Sequence, residues 1–514
     1  MRYRHIAFCL PAVLCLYSMT GQAQEPSPIL PLPKVPDQKN PTPLPTGDQK
    51  KELSFPSKFK ADESLTMSGS TPPKSGGQPI TLREAILIAN SQAIDNRVAD
   101  AQIGVASALY QGARALWLPN IDVGADYYYH SGPFSNISTG AIETNTRETL
   151  MYGVGFVAVV ATNDAVFAPR AARNVLESRY SDKQAVNNDV SLEVCEIYFQ
   201  VLQYQYELAA QKVLVAQAEE LVRQVSAMAE GLVPDVEINR AKVELARRKQ
   251  TVANTEGQYY IAMAELVRIL RLPPGESLAL KEAIDFRLQV VDPNLPLKEL
   301  IQIALMHRPE LASQSALVRA SVERLRQERT RPLMPIVLAR PASTSPPGTL
   351  GIGSFGGGSY SNSDFGSRVD YDFQLVWELQ NLGFGNRAKI RQRRSENEVA
   401  VLTLLRAQDQ VAADVSQAYA SVNAARTRLD VAIPAYIEAK RNLEKNFEGL
   451  PQTKRVGNLL VLIIRPQEVV AAIQAMSQAI VDYHASLAEY NRAEFRLNRA
   501  LGNSVAPLLE EGAK

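Results

Sequence analysis

The sequence predicts a mainly α-helical protein made of long rods, with four shorter β-segments set between them. Three observations carry that reading: an internal duplication, a hydrophobic seam of period 3.5 in each half, and four places where the period switches to 2. Composition agrees, since 46% of the 514 residues are hydrophobic but only 7% are aromatic, a balance that favours extended helices over a compact sandwich. The 55 basic and 54 acidic side chains nearly cancel. No single-sign field recruits a polyanion, and nucleic acid is not an expected partner.

Arg2, Arg4 and His5 precede an apolar run from Ile6 to Tyr17, and Gly21 and Ala23 supply the small residues of a cleavage site, so residues 1–23 read as a secretory signal peptide. The run is shorter than the ~20 residues of a membrane span. Phe8 and Leu14, which precede Cys9 and Cys15, fit no lipoprotein site. Once the leader is removed Cys195 stands alone, which leaves no disulfide scaffold and no cysteine zinc cluster. Residues 24–80 hold 12 of the 31 prolines and are expected to form a disordered tether.

The ordered part reads as two repeats, residues 81–295 and 296–502, followed by a tail, residues 503–514. Leu82-Arg83-Glu84-Ala85-Ile86 opens the first and Leu297-Lys298-Glu299-Leu300-Ile301 the second, at an offset of 215. Alternate steps of four and three residues from Val190 to Val225 meet ten apolar residues in eleven, the exception being Gln211. The same steps from Val411 to Asn446, offset by 221, again give ten of eleven. Such seams mark helices packed lengthwise in coiled-coil fashion, and ~60 residues of helix reach ~90 Å. Pro434 is expected to kink or interrupt the second rod.

Ile121 to Tyr129, Leu150 to Ala158 and Val369 to Trp377 alternate apolar with polar or small residues, and a further strand over Met334 to Ser343 follows from the duplication. Strands of about ten residues with one greasy face suit an outer-membrane barrel, and a soluble half-buried sheet gives the same alternation. Trp117 and Trp377 fall at helix-to-strand junctions, where membrane-interface aromatics belong. Four strands are too few to close a barrel, so two or three chains would share one. No mature segment offers eighteen uncharged apolar residues for a helical span.

No motif carries catalysis. Gly351 to Gly356 matches G-x-G-x-x-G, but with Pro346 and Pro347 before it and further glycines after it the stretch reads as a surface loop. His130, His307 and His484 are dispersed, without an i, i+4 pair of the zinc type, so neither a metal nor a cofactor is expected. Neither G-x-S-x-G nor another nucleophile arrangement is recognisable, and the chain is not expected to be an enzyme.

Several local motifs resemble the TolC-like outer-membrane efflux protein family: Leu82-Arg83-Glu84-Ala85 with Ile88-Ala89, Arg114-Ala115-Leu116-Trp117-Leu118-Pro119, Gly383-Phe384-Gly385-Asn386-Arg387 and Tyr490-Asn491-Arg492-Ala493 with Leu501-Gly502. The resemblance runs from about residue 81 to 502. It implies a homotrimer in the outer membrane, with four strands per chain completing a twelve-stranded barrel in lipid and twelve helices forming a periplasmic tunnel. It also implies a passive exit duct, coupled through a periplasmic adaptor to an inner-membrane transporter. In that family the helix-to-helix turns form the periplasmic tip. Gly231-Leu232-Val233 with Asp235 resembles the first turn, and Gly449 to Ile464, including Gly457, stands as the second. Related chains carry two aspartates where this one, aligned on Gly457, has Ile463 and Pro466, so their acidic gate is not expected. Leu232 and Val233 are expected either to form an exposed adaptor-docking surface or to tuck into the bundle. The competing class is a periplasmic coiled-coil scaffold with no barrel.

Overall fold

A computed structural model describes residues 78–503, apart from residues 137, 229–232, 277, 284–286, 288, 294, 342–349, 357–363, 369–370 and 457–458. The chain divides into Met1–Lys60, which lies outside the described residues, and Ala61–Lys514, to which everything below belongs.

The first half runs β1 (Gln78–Ile80), α1 (Leu82–Gln92), α2 (Ile94–Arg114), β2 (Asn120–Ser135), β3 (Ile142–Ala161), α3 (Thr162–Ala227), α4 (Asp235–Leu270) and β4 (Leu278–Leu280). The second repeats it as α5 (Leu297–His307), α6 (Pro309–Thr330), β5 (Ile336–Pro341), β6 (Leu350–Gly356), β7 (Asp364–Arg368), β8 (Tyr371–Val376), α7 (Phe384–Gly449), β9 (Thr453–Val456), β10 (Leu459–Leu462) and α8 (Pro466–Ala500). Corresponding helices match closely in length: 11 and 11 residues for α1 and α5, 21 and 22 for α2 and α6, 66 and 66 for α3 and α7, 36 and 35 for α4 and α8. At 1.5 Å per residue the two long rods reach roughly 100 Å.

Thr81 starts α1 with a capping box: its side chain accepts from the Glu84 amide, and the Glu84 carboxylate accepts from the Thr81 amide at 2.8 Å. Just before it, β1 pairs in parallel with β4. The last three residues of the stretch expected to be a tether, Gln78–Ile80, are therefore a paired strand. Ile80 is the reason: it is buried with Leu278 and Leu280, and its carbonyl accepts from the Lys281 amide and the Tyr198 hydroxyl.

Along the rods the seam is buried as its period requires. In α7, Val411, Val415, Ala418, Val422, Ala425, Leu429, Ala432, Tyr436 and Leu443 are in the core, packed against α8. In α3, Val190, Val194, Val201, Leu208, Ala218 and Val225 play the same part. Pro434 does not break its rod, since α7 is continuous through it, and α3 likewise contains Pro169 near its start. The polar seam position of α3, Gln211, is fully buried and paired: its amide oxygen accepts from the Ser477 hydroxyl at 3.1 Å.

The sheet is antiparallel. β2 pairs with β3 from Asn120 opposite Val157 out to Ser135 opposite Ile142, and the other edge of β3 takes both β5 and β6. β8 then pairs with β5 and β7 with β6, so these four pieces are the third and fourth strands of one meander. The first hairpin, with strands of 16 and 20 residues, outruns the ten or so read from alternation. The third strand continues past Ser343, and Gly351 to Gly356, expected in a loop, lie in β6 between β3 and β7. Alternation was hidden there because glycine contributes no apolar side chain to either face. Ala158 faces Ala339 and Val154 faces Leu350, so the third strand carries seven residues more than β3 over that interval, and Pro341 opposite Tyr371 with Gly351 opposite Arg368 gives the same excess.

Candidate functional site: the sheet face and the helical tips

Residues opposite one another on antiparallel strands share a face. The register thus assembles a single surface from Ile121, Val123, Tyr127 and Tyr129 on β2, Leu150 and Ala158 on β3, Val337 and Ala339 on β5, and Phe373 and Leu375 on β8. Ile121, Val123, Tyr127, Tyr129, Leu150, Phe373 and Leu375 are exposed, an arrangement that water would penalise and lipid would not. From Ile121 to Tyr129 the face is nine residues long, the length a tilted strand needs to cross a bilayer. Asp122, Asp126 and His130 occupy the opposite register positions. Beyond Tyr129 the hairpin turns polar, and Glu148, opposite Tyr129, accepts a hydrogen bond from the Tyr127 hydroxyl at 2.7 Å. Both outer edges of the sheet, those of β2 and of β7 with β8, pair with no strand among the described residues.

Trp117 closes a short 3₁₀ turn (Ala115–Trp117) at the entry to β2 and is 52% exposed; Trp377 follows β8 directly and is 56% exposed. They stand at the helix-proximal end of the apolar face, while Tyr127 and Tyr129 stand at its far end.

At the other end of the rods lie two turns. In the first, Gly231 and Leu232 fall outside the described residues. Val233 is only 6% exposed and belongs to the core, so this residue tucks into the bundle and is not a docking group. The exposed apolar residue is Val236, at 57%, one turn into α4 beside Asp235. Pro234, whose fixed φ leads the chain into α4, turns Val233 inward.

The second turn is a β-hairpin, β9 with β10, and Gly457 lies outside the described residues. The sequence signal was present: Gly457-Asn458 between two short runs is a two-residue hairpin pattern. Gly449 ends α7 against Ile464, where an added Cβ would lie 2.3 Å from the Ile464 Cδ1. Only glycine lets the hairpin fold back so closely. Ile463 is 55% exposed, whereas Pro466 is buried as the first residue of α8. Arg240 pairs with Glu237 and reaches Gln467 at 3.4 Å, joining α4 to α8 next to the two turns.

Among the described residues no polar cluster suited to catalysis accompanies these surfaces. The single described cysteine, Cys195, is buried and free, and burial pushes its thiol pKa up, away from a reactive thiolate. His484 is buried against Tyr206 and Tyr483, and desolvation lowers its pKa to about 4, which keeps it neutral. Glu494 accepts from the Val290 and Val291 amides and so fastens the connector between the halves to α8; burial raises its pKa. Among the described residues no group of three or more metal-ligating side chains converges, and no helix is long and apolar enough to cross a membrane.

Residues 87–270, from within α1 to the end of α4, match the family model described as outer membrane efflux protein. The fold is similar to the outer-membrane channel OprN, at 16% identity with a TM-score of 0.64, covering 89% of this chain and 98% of that one. It is equally similar to the Campylobacter jejuni CmeC outer membrane channel (15% identity, TM-score 0.64, 84% and 89% covered) and to the open state of the Neisseria gonorrhoeae MtrE outer membrane channel (14%, 0.64, 82% and 89%). No curated protein matches the sequence significantly. The first repeat is thus matched by the outer membrane efflux protein family model over residues 87–270, and the fold of the chain as a whole is that of solved outer-membrane channels.

Proposed function

We propose that the chain is one subunit of a homotrimeric exit duct, a passive conduit that an inner-membrane transporter drives through a periplasmic adaptor. The observation that carries this reading is the apolar face running across all four strands between two unpaired edges. Such edges are open pairing sites, and in lipid every backbone group needs a partner. Three copies joined edge to edge satisfy both edges and give twelve strands. A scaffold without a barrel would leave the same face and edges in water. The rods need no energy source of their own, and among the described residues nothing supplies one. Trp117 and Trp377 suit the inner membrane interface. The tip suits adaptor docking through Asp235, Val236 and Ile463, with Gly449 shaping the second turn and Val233 supporting the first from inside.

The test is fractionation. The protein should need detergent for extraction and should run as a trimer. Recovery as a soluble monomer after lysis without detergent would overturn the reading.

A further inference from the structure

Three of the four cation–π pairs among the described residues lie where a helix meets the sheet. The Arg114 guanidinium sits 5.8 Å from the Tyr110 ring centroid at the end of α2, Arg170 lies 5.6 Å from Phe167 near the start of α3, and Arg387 lies 6.0 Å from Phe384 at the start of α7. All three arginines are exposed. Arg170 is the ninth residue of its helix, Arg387 the fourth and Arg114 the last. Each therefore lies within about 12 Å of the sheet-proximal end of its helix along the helix axis. Exposed Leu116, Trp117, Leu118, Leu333, Leu379 and Leu382 mark the same level.

Charge is concentrated there too. The twelve-residue helix ends nearest the sheet, residues 103–114, 162–173, 319–330 and 384–395, hold twelve basic side chains against three acidic, in a chain whose net charge is +1. Arg319, Arg326 and Arg393 pair with carboxylates. Arg114, Arg170 and Arg387 form no ion pair among the described residues and keep their guanidinium forks free beside an aromatic ring.

We propose that these three arginines form a collar that binds the phosphate groups of anionic phospholipids in the leaflet facing the helices. The inference rests on placing the sheet in the outer membrane. A bilayer's headgroup layer extends ~5–8 Å beyond its hydrocarbon, and the Debye length adds ~8 Å, so guanidiniums up to about 12 Å from the helix ends nearest the sheet reach lipid phosphate. The aromatic ring lies against the guanidinium of each arginine, and a planar fork can donate two parallel N–H bonds to a phosphate. Recurrence at three of the four junctions gives a ring of sites around the barrel, continuous with the apolar sheet face.

The experiment compares retention of dioleoyl-phosphatidylglycerol and dioleoyl-phosphatidylcholine by the purified protein, read by native mass spectrometry. Three forms are compared: wild type, a triple Arg114→Gln, Arg170→Gln, Arg387→Gln variant, and the triple lysine variant. Wild type should retain the anionic lipid preferentially. Each glutamine should weaken that retention roughly fivefold, and lysine, which keeps the charge and loses the fork, should restore only part of it. Should the triple variant fail to assemble, the three single glutamine variants are read in the same assay, each expected to show its fivefold loss. Reversal potential across planar bilayers in a salt gradient should not change. Equal retention of both lipids by wild type, or full retention by the glutamine variants, would overturn the proposal. So would altered ion selectivity with unaltered lipid retention, which would place the guanidiniums in the bore. Failure of the membrane reading is seen separately, as extraction without detergent.

Discussion

Val233 and Val236 are three residues apart at the tip, and the structure assigns them opposite fates when each is replaced by aspartate. Val233 is 6% exposed within the bundle core. Its substitution forfeits about 1.5–3 kcal/mol of apolar burial and places an unpaired carboxylate where solvent is excluded, a further few kcal/mol. A total near 5 kcal/mol exceeds what the end of a two-helix turn can absorb without opening. Val233→Asp should therefore expose the α3–α4 turn to limited proteolysis, while the rest of the rods stays protected. Val236 is 57% exposed, so Val236→Asp should change stability by no more than about 0.5 kcal/mol and leave trimer and protease pattern untouched. Its effect should be functional: loss of export in cells lacking any other duct, and loss of adaptor cross-linking from position 236. Normal export by Val236→Asp would refute a docking role for the first turn of α4. An unchanged protease pattern in Val233→Asp would refute the core assignment.

Gly449→Ala should destabilise the second turn by about 1–3 kcal/mol through the Ile464 clash, and Gly449→Ala with Ile464→Ala should recover part of the melting temperature that the single variant loses. His484 has a pKa lowered by burial from 6.5 to about 4, so between those values the unfolded chain binds a proton that the folded chain does not. Stability from this group is complete above about pH 6.5 and falls as pH drops towards 4, by about 3 kcal/mol at most; His484→Phe should flatten that stretch of the melting temperature–pH curve, and an unchanged slope would exclude His484 as its source. Deletion of residues 26–76 should leave assembly and melting temperature intact, whereas extending the deletion through Ile80 removes β1 and its bonds to Lys281 and Tyr198 and should lower the melting temperature.

The helices were legible because their signal is long. Eleven seam positions in each rod state one period, and the same burial recurs from Val411 to Leu443. The β1–β4 pair was not legible, because Gln78-Pro79-Ile80 is too short to show a period and ends a proline-rich stretch. Nor was β6, whose sequence Leu350-Gly351-Ile352-Gly353-Ser354-Phe355-Gly356 imitates a phosphate loop while its backbone simply pairs on both sides. At the tip, sequence located the two turns but left the direction of a side chain open: of the two alternatives, docking surface or bundle interior, Val233 takes the interior, and the exposed apolar group, Val236, is three residues on. A turn's sequence identifies where the chain reverses, and only packing settles which residue the reversal hides. The cation–π pairs at the junctions are visible as i, i+3 or i, i+4 spacings, yet carry no meaning until the sheet places them at one level.

The two halves have kept equal lengths in one part of the fold and diverged in another, and physical constraint accounts for the difference. In each half a 66-residue rod is lined along its length by two shorter helices: α2 with α4 on α3, 21 and 36 residues, and α6 with α8 on α7, 22 and 35 residues. Rods that pack side by side must span the same distance, since adding a turn to one would displace its seam against every neighbour and strand its tip. In the proposed barrel the strands share a constraint only where they cross lipid, over the nine residues from Ile121 to Tyr129. Outside that band their ends are in water, where an extra residue costs little. The first hairpin accordingly runs on well past the apolar face, to Ser135 opposite Ile142. Length is thus fixed where two copies of an element must cover one shared thickness, and free where the element ends in solvent.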